Sequence, residues 1–155
     1  MLTVTEENIL VNLEADSKEE VIRILVDLLV QNGYVKPEYY DILIEREEQY
    51  PTGLPTLGIQ VAIPHGISEG CVLKPAVAMA TLARNVTFRN MADKEEELSI
   101  GIVFLFGLPG EHELAKDLNR VMSIFSESEL LSRVYSAKTG HEIVEIMNKL
   151  LKEEE

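Results

Sequence analysis

Two histidines, His65 and His112, follow segments that the sequence predicts to be buried strands. His65 comes at the end of the stretch VAIPH, and His112 lies in GLPGEHEL after a long apolar run. An imidazole has an ordinary pKa of about 6.5, so most of it is neutral at pH 7. A neutral ring can attack an electrophile directly or donate to a phosphate oxygen. Histidine chemistry at strand ends is therefore the first hypothesis.

The residues around His65 favour a functional role but do not decide it. Pro64 has no N–H to donate, so ladder pairing is predicted to end there, and Gly66 allows a sharp turn. Functional groups of open α/β sheets often sit at the carboxyl ends of strands. A loop histidine whose ring is only hydrogen-bonded remains an equally open interpretation.

His112 is predicted to lie near a helix N-terminus, where the backbone favours anions and depresses the pKa of a histidine. Taken alone, a surface histidine capping the helix would be the simpler interpretation. Two histidines at strand ends make a shared site more credible than either does alone. His141 is predicted to be on the surface, and no H-x-H or H-x-x-x-H spacing supports a metal site. The sequence therefore predicts no metal and no cofactor.

Arg46 and Thr52 are candidates on the chain segment before His65. Arg46 comes near the end of a predicted amphipathic helix, and Thr52 lies in the following loop, PTGLPTLG. Arg46 could clamp an anion if the loop folds back toward His65, or it could be an exposed arginine paired with a neighbouring glutamate. The Thr52 hydroxyl could reach the ring nitrogen of His65 or a bound phosphate. Spacing alone leaves these alternatives open.

The elements that would position these residues alternate between helix and strand signals. Ser17 followed by Glu20 forms a capping box before an apolar stripe of helical period. The fold class is predicted to be α/β, a single-domain sandwich over residues 1–155 with a mixed β-sheet flanked by helices and a disordered acidic tail. The predicted strands are 8–15, 59–64, 76–83, 86–88 and 98–108, and the predicted helices are 18–31, 36–50, 112–126, 127–137 and 139–155.

Composition limits the classes of partner. The chain has 155 residues and a net charge of −13, from 27 acidic and 14 basic residues. No basic surface for nucleic acid is visible, and no apolar run reaches the roughly 18 residues of a membrane span. The acidic run ADKEEE is predicted to be a solvated end or loop. With one cysteine and no recognisable secretory signal, we expect a cytoplasmic protein.

Two motifs give the chain a family likeness. The pattern R-E-x-x-[YF]-P-T-G, here Arg46 to Gly53, is followed about a dozen residues on by A-I-P-H, here Ala62 to His65. Together with VFLFGLPGEHELAKDLNRVMSIFSESELLSRV, they resemble the enzyme IIA components of the bacterial sugar phosphotransferase system. The closer resemblance is to the fructose–mannitol superfamily and, within it, to galactitol-type enzyme IIA proteins. The likeness extends over essentially the whole chain.

The resemblance implies a mechanism and two partners. The phosphocarrier protein HPr would donate its phosphoryl group to a histidine of enzyme IIA, which would pass it to a cysteine of the cognate enzyme IIB. The phosphorylated histidine of the family matches His65, with Nε2 as the attacking nitrogen and Nδ1 held by a hydrogen bond. Its second active-site histidine matches His112, its arginine matches Arg46, and its loop threonine matches Thr52.

Two other functions stay open beside sugar transport. A regulatory enzyme IIA of the nitrogen-type phosphotransferase branch would use the same His65 but signal by binding other proteins. A non-catalytic acidic binding module would keep its histidines for structural reasons. The Y-P-T-G loop favours transport, and the paired histidines argue against an idle module.

Overall fold

The structure is a computed structural model that describes residues 4–110 and 114–153. A short 3₁₀ turn, Glu6–Asn8, leads into the first strand. The strands are β1 (Ile9–Leu13), β2 (Gly53–Leu54), β3 (Gln60–Ala62), β4 (His65–Ile67), β5 (Ala76–Asn90) and β6 (Asp93–Leu108). The helices are α1 (Lys18–Gln31), α2 (Tyr39–Gln49), α3 (Leu114–Phe125), α4 (Ser128–Ser136) and α5 (Gly140–Glu153).

The six strands of the described chain form one mixed sheet. Their order is β1-β5-β2-β3-β6-β4, and the long strands β5 and β6 also pair with each other as an antiparallel hairpin. β1 runs parallel to β5, and β3 and β4 both run parallel to β6. The predicted α/β sandwich with a mixed sheet is confirmed. The last two residues of the predicted acidic tail, 154 and 155, lie outside the described residues.

Helices cover both faces of the sheet. In β6, Phe104 and Phe106 face the core beneath α3, α4 and α5, whereas Val103 and Leu105 face the core beneath α1 and α2. A strand with apolar side chains on both faces must be sandwiched, because successive side chains point to opposite sides. The continuous apolar run of this strand therefore encodes its central position.

The first helix begins as its sequence predicts. The Ser17 hydroxyl accepts a hydrogen bond from the Glu20 N–H at 3.2 Å, and the Glu20 carboxylate accepts one from the Asp16 N–H at 3.2 Å. These two bonds satisfy N–H groups that have no partner within the helix. The cap thus fixes the start of α1 just before its buried residues, which pack on the sheet.

The hairpin differs from its prediction. Segments 76–83 and 86–88, expected as two strands, belong to one strand, β5, with an irregularity in its register between Thr81 and Val86. The acidic run expected as a solvated loop lies mostly in β6, where its side chains stay exposed. The exposed half of an antiparallel hairpin accepts charged residues because its backbone groups pair across the ladder.

The chain around His65 also differs from its prediction. β3 ends at Ala62, and pairing with β6 resumes at His65, which begins β4 rather than ending a strand. Pro64 lacks an N–H, but its carbonyl accepts from the Phe106 N–H at 3.0 Å, so the ladder continues through the proline. Gly66 makes no turn, because it pairs with Gly107 within β4.

Candidate active site

His65 is a buried histidine fixed on the sheet. It lies opposite Phe106 in the parallel β4–β6 pair, and its ring stacks on the Phe106 ring with centroids 5.1 Å apart and planes 12° apart. Only 6% of the residue is exposed. Stacking on one face and strand pairing along the backbone hold the imidazole in one orientation.

The hydrogen bond of His65 selects its tautomer. Nδ1 lies 2.7 Å from the carbonyl oxygen of Ile63. A carbonyl only accepts, so Nδ1 carries the proton and donates it. The lone pair of the neutral ring is therefore on Nε2. The ring is prepared for attack through Nε2.

Burial lowers the pKa of His65, and the Arg46 guanidinium lowers it further, while the hydrogen bond to Ile63 opposes both effects. Desolvation penalises the charged imidazolium, and a nearby cation repels it. The net effect keeps the ring neutral and nucleophilic at pH 7.

Beside His65 is a cavity of about 240 Å³. It combines two cations with an apolar rim, which is a suitable setting for a small anion shielded from water. Its lining comes from α2, the loop after it, β4, the β5–β6 turn, the start of β6, and α3. The lining residues are Arg46, Gln49, Tyr50, Pro51, Thr52, His65, Met91, Lys94 and Leu118. The structure thus brings together three of the four predicted site residues, His65, Arg46 and Thr52.

Arg46 is poised to bind an anion. Its Nε is buried and has no hydrogen-bond partner within the described part of the chain. Its guanidinium carbon lies 5.5 Å from the centre of the Tyr50 ring. An unsatisfied buried donor costs about 1–3 kcal/mol, and a phosphoryl oxygen would satisfy it. The anion-clamp interpretation of Arg46 thus fits the geometry better than a surface ion pair.

Thr52 is bonded to Glu47. Its hydroxyl donates to Glu47 Oε1 at 2.8 Å, and its N–H donates to Glu47 Oε2 at 2.8 Å. The sequence left open whether this hydroxyl reaches a ring nitrogen of His65 or a bound phosphate, and the Nδ1 nitrogen is bonded to the Ile63 carbonyl instead. Thr52 still lines the cavity, and so it remains in reach of an anion held there.

Hydrogen bonds link Glu47 to the ring of His65. Glu47 holds Thr52, the Thr52 carbonyl accepts from the Ile63 N–H at 3.0 Å, and the Ile63 carbonyl accepts from His65 Nδ1. Each bond fixes the next backbone segment relative to the last. The orientation of the His65 ring therefore depends on a carboxylate eighteen residues earlier in the chain.

Tyr39 holds the other side of His65. Its phenol oxygen lies 3.0 Å from the Phe106 carbonyl and 3.2 Å from the Gly66 carbonyl, bridging β6 and β4. Burial raises the pKa of Tyr39, so the phenol stays protonated and can donate. A Cβ at Gly107 would come within 2.6 Å of this oxygen, so the bridge requires glycine there.

The other two histidines differ in what can be said of them. His112 lies outside the described residues, so its predicted place in the site stays a prediction. His141 is on the surface, as predicted: its side chain is 66% exposed, and its Nε2 lies 3.0 Å from Glu145 Oε1. Within residues 4–110 and 114–153, no group of three or more His, Cys, Asp or Glu side chains could hold a metal ion.

Sequence reasoning missed Glu47 and Tyr39 as parts of the site. Both belong to the buried side of α2, where Tyr39, Leu43 and Glu47 follow one another at intervals of four residues. The available signal was a carboxylate on an otherwise apolar stripe, because a buried carboxylate needs hydrogen-bond donors that the fold supplies. The interval places Glu47 inside the protein, and only the folded loop supplies Thr52 as its partner.

Comparison with known proteins identifies the family. A family model described as "Phosphoenolpyruvate-dependent sugar phosphotransferase system, EIIA 2" matches residues 3–150. The mannitol-specific phosphotransferase enzyme IIA component of Bacillus subtilis is 31% identical over 153 residues, which cover 97% of this chain and 99% of that protein. The mannitol-specific EIICBA component of Escherichia coli is 30% identical over 143 residues, and there the match spans 91% of this chain but 21% of that protein.

The fold and sequence are also similar to those of a solved structure. It is the complex of enzyme IIA of mannitol with phosphorylated enzyme IIB of mannitol from Escherichia coli. The similarity has a TM-score of 0.76 at 27% identity and covers 95% of this chain and 98% of that one. Among the described residues of the present chain, no helix is long and apolar enough to cross a membrane.

Proposed function

We propose that the chain, which belongs to the EIIA 2 family of the phosphoenolpyruvate-dependent sugar phosphotransferase system, carries a phosphoryl group on His65 Nε2 between two protein partners. The donor is phospho-HPr and the acceptor is a cysteine of the cognate enzyme IIB. The observation that carries the proposal is the buried His65, with Nδ1 bonded to Ile63, at a cavity that holds Arg46.

The geometry supports direct transfer without a general base. The lone pair of Nε2 forms the new N–P bond while the P–N bond of the donor breaks, and the donor nitrogen recovers its electron pair. The ring becomes more positive on phosphorylation, and the Nδ1–H bond to the Ile63 carbonyl compensates for that charge. Phosphoryl transfer depends mainly on positioning and on stabilising charge at the equatorial oxygens.

Arg46, Thr52 and His112 are proposed to stabilise those oxygens. Arg46 offers a buried N–H that has no partner among the described residues, and Thr52 lines the cavity. His112 enters through the family resemblance alone. A rim that includes Tyr50, Met91 and Leu118 excludes water and slows hydrolysis of the phosphohistidine.

The transported substrate is proposed to be mannitol or a related sugar alcohol. The relatives named above are mannitol-specific, and they give no support to the galactitol-type prediction. We further propose that residues 1–155 act as one cytoplasmic enzyme IIA domain. Its binding of enzyme IIB is supported by the similar Escherichia coli enzyme in complex with phosphorylated enzyme IIB.

The two other functions considered above are not favoured. The nitrogen-type regulatory function would use the same histidine, but the curated relatives named above are transport components. A non-catalytic acidic module gives no reason for a buried Arg46 Nε that lacks a partner in the described part of the chain and lies beside a neutral His65.

Reconstitution tests the proposal. The protein is incubated with phosphoenolpyruvate, enzyme I and HPr, and the acid-labile phosphate is measured by mass spectrometry. We expect one phosphate on wild type, none on His65→Ala, and onward transfer to a co-encoded enzyme IIB. A wild type that takes up no phosphate would refute the proposal, as would a His65→Ala variant that takes up as much as wild type.

His112 has its own test in the same system. We expect His112→Ala to accept phosphate but to pass it poorly to enzyme IIB. Onward transfer at the wild-type rate would remove His112 from the mechanism.

A further inference from the structure

Glu47 is a buried carboxyl group whose two oxygens both face Thr52. It is 3% exposed, and within the described residues it forms no ion pair. Its neighbour Thr52 is 2% exposed and lies on the wall of the cavity beside His65. The direction in which Thr52 points its hydroxyl proton is therefore set by Glu47.

An ionised Glu47 leaves Thr52 as an acceptor. A carboxylate can only accept, so the Thr52 hydroxyl must give its one proton to Glu47 Oε1, 2.8 Å away. Only the lone pairs of Thr52 Oγ1 then remain available to interact with a group in the cavity. An acceptor oxygen repels the phosphoryl oxygens that the cavity is proposed to hold.

A protonated Glu47 reverses that bond without moving a heavy atom. The carboxyl O–H at Oε1 donates to Thr52 Oγ1, and Oε2 continues to accept from the Thr52 N–H at 2.8 Å. The hydroxyl proton of Thr52 is then free to point into the cavity. The same 2.8 Å contact thus serves both protonation states.

Both states are accessible near neutral pH. Burial raises the pKa of Glu47 to about 7, while the hydrogen bonds from Thr52 and the charges of Lys18 and Arg46 act against burial. Lys18 comes from α1 and Arg46 from α2, while His65 of β4 and Lys94 of the β5–β6 hairpin line the adjoining cavity. No large free-energy cost therefore opposes the exchange of one state for the other.

We propose that Glu47 takes up a proton when a phosphoryl group enters the cavity and that Thr52 then donates its hydroxyl proton to a phosphoryl oxygen. The proton comes from solvent and returns to it when the phosphoryl group leaves. Glu47 is a positioning residue and Thr52 makes the contact. This inference rests on the proposed function of His65.

Glu47→Gln is the sharpest variant, because its amide can donate to Thr52 Oγ1 while its carbonyl accepts from the Thr52 N–H. It fixes the arrangement of the protonated state at every pH. Thr52→Val removes the hydroxyl with little change in shape. Glu145→Gln, on an exposed glutamate beside His141, is the matched control. Single-turnover transfer from phospho-HPr is measured for each protein from pH 5.5 to pH 9.

The expected result is a ratio of rates that depends on pH. Glu47→Gln should match wild type at pH 5.5 and exceed it by about tenfold at pH 9, the size of one hydrogen bond to a charged group. The deficit of Thr52→Val should be largest at pH 5.5 and disappear toward pH 9. A Glu47→Gln to wild-type ratio that is constant across this range would overturn the inference.

A second measurement does not depend on how Glu47→Gln folds. The Glu47 carboxyl carbon is followed by ¹³C NMR in wild type and Thr52→Val, each with and without phosphate on His65. If protonation of Glu47 favours the bound phosphoryl group about tenfold, the phosphoryl group must favour protonation of Glu47 by the same factor. We therefore expect phosphorylation to raise the pKa of Glu47 by about one pH unit more in wild type than in Thr52→Val. Equal rises in the two proteins would overturn the inference.

The two proposals fail in different ways. If wild type takes no phosphate on His65, the proposed function fails. If His65 is phosphorylated but the two pKa rises are equal, the function stands and only the inference about Glu47 and Thr52 fails.

Discussion

His65 and His141 are the same side chain in two different environments. His65 is 6% exposed, stacked on Phe106 and bonded through Nδ1 to a backbone carbonyl. The His141 side chain is 66% exposed and contacts Glu145, a residue equally open to solvent. Residue type alone therefore identifies neither. What separates them is whether the fold fixes the ring and selects its tautomer.

The neighbours of the two rings sharpen the contrast. Near His65, Glu47 and Tyr39 are buried and hydrogen-bonded, and Arg46 lines the cavity. The same three residue types occur on α4 and α5, where Arg133 lines a separate cleft, Glu145 contacts His141 at the surface, and Tyr135 donates to the Leu82 carbonyl. Substitutions made in matched pairs therefore test the comparison directly.

Removing the rings themselves should give the largest difference. We expect His65→Ala to lower phosphate uptake from phospho-HPr by at least about 1,000-fold, since the nucleophile is gone. His141→Ala should transfer at the wild-type rate. Comparable losses in the two variants would contradict the contrast between them. Quantitative mass spectrometry of the phosphoprotein provides the measurement.

The arginines should give the next largest difference. Arg46→Met removes the cation that faces the cavity, so single-turnover transfer should fall by about 100-fold, as for the loss of one donor to a transition-state oxyanion. The pKa of His65, followed by NMR, should rise because a repelling charge is lost. Arg133→Met, in a cleft formed with Glu142 and Glu145, should change neither quantity.

The buried glutamate, Glu47, should make the free energy of unfolding depend on pH. The folded-state pKa of Glu47, about 7, lies above its unfolded value of 4.5, so the native state binds the proton more tightly. The stabilisation linked to Glu47 is thus complete below pH 4.5 and is lost as pH rises toward 7, by about 3 kcal/mol in all.

Glu47→Gln should remove that loss, because an amide does not titrate. Its free energy of unfolding relative to wild type should increase by about 3 kcal/mol between pH 4.5 and pH 8. Urea unfolding of both proteins at a series of pH values measures this difference, and parallel curves for Glu47→Gln and wild type would argue against a proton on Glu47.

The tyrosines should give the smallest difference. Tyr39→Phe breaks the bridge between β4 and β6 and should lower the free energy of unfolding by about 1–2 kcal/mol, with a few-fold slower transfer. Tyr135 donates to the Leu82 carbonyl at 3.2 Å, so Tyr135→Phe should cost about 1 kcal/mol without slowing transfer. Equal transfer rates for the two variants would show that the bridge does not position His65.

The sequence predicted the broad fold because its strongest signals are local. The Ser17 cap and the apolar run of β6 each specify one element through nearby residues. It failed where pairing depends on a distant strand. Pro64 was expected to end pairing, yet its carbonyl bonds to Phe106, and the irregular stretch between Thr81 and Val86 does not divide β5.

The sequence likewise predicted the residues of the candidate site better than the hydrogen bonds between them. Motif spacing pointed to His65, Arg46 and Thr52, which the fold brings to one cavity. The hydrogen-bond partner of Thr52 could not be predicted from the sequence, because the choice between Glu47 and His65 depends on how the loop after α2 folds back. The hydrogen bond from Nδ1 to Ile63 joins residues two apart, across the short interruption between β3 and β4.

The central claim is that Nε2 of His65 carries the phosphoryl group. It is tested most directly by ³¹P and ¹⁵N NMR of the protein labelled with ¹⁵N in histidine and phosphorylated through enzyme I and HPr. We expect one phosphate, with a phosphorus–nitrogen coupling to Nε2 of His65 and the Nδ1 proton retained. A coupling to Nδ1, a phosphate on another residue, or no phosphate at all would contradict the claim.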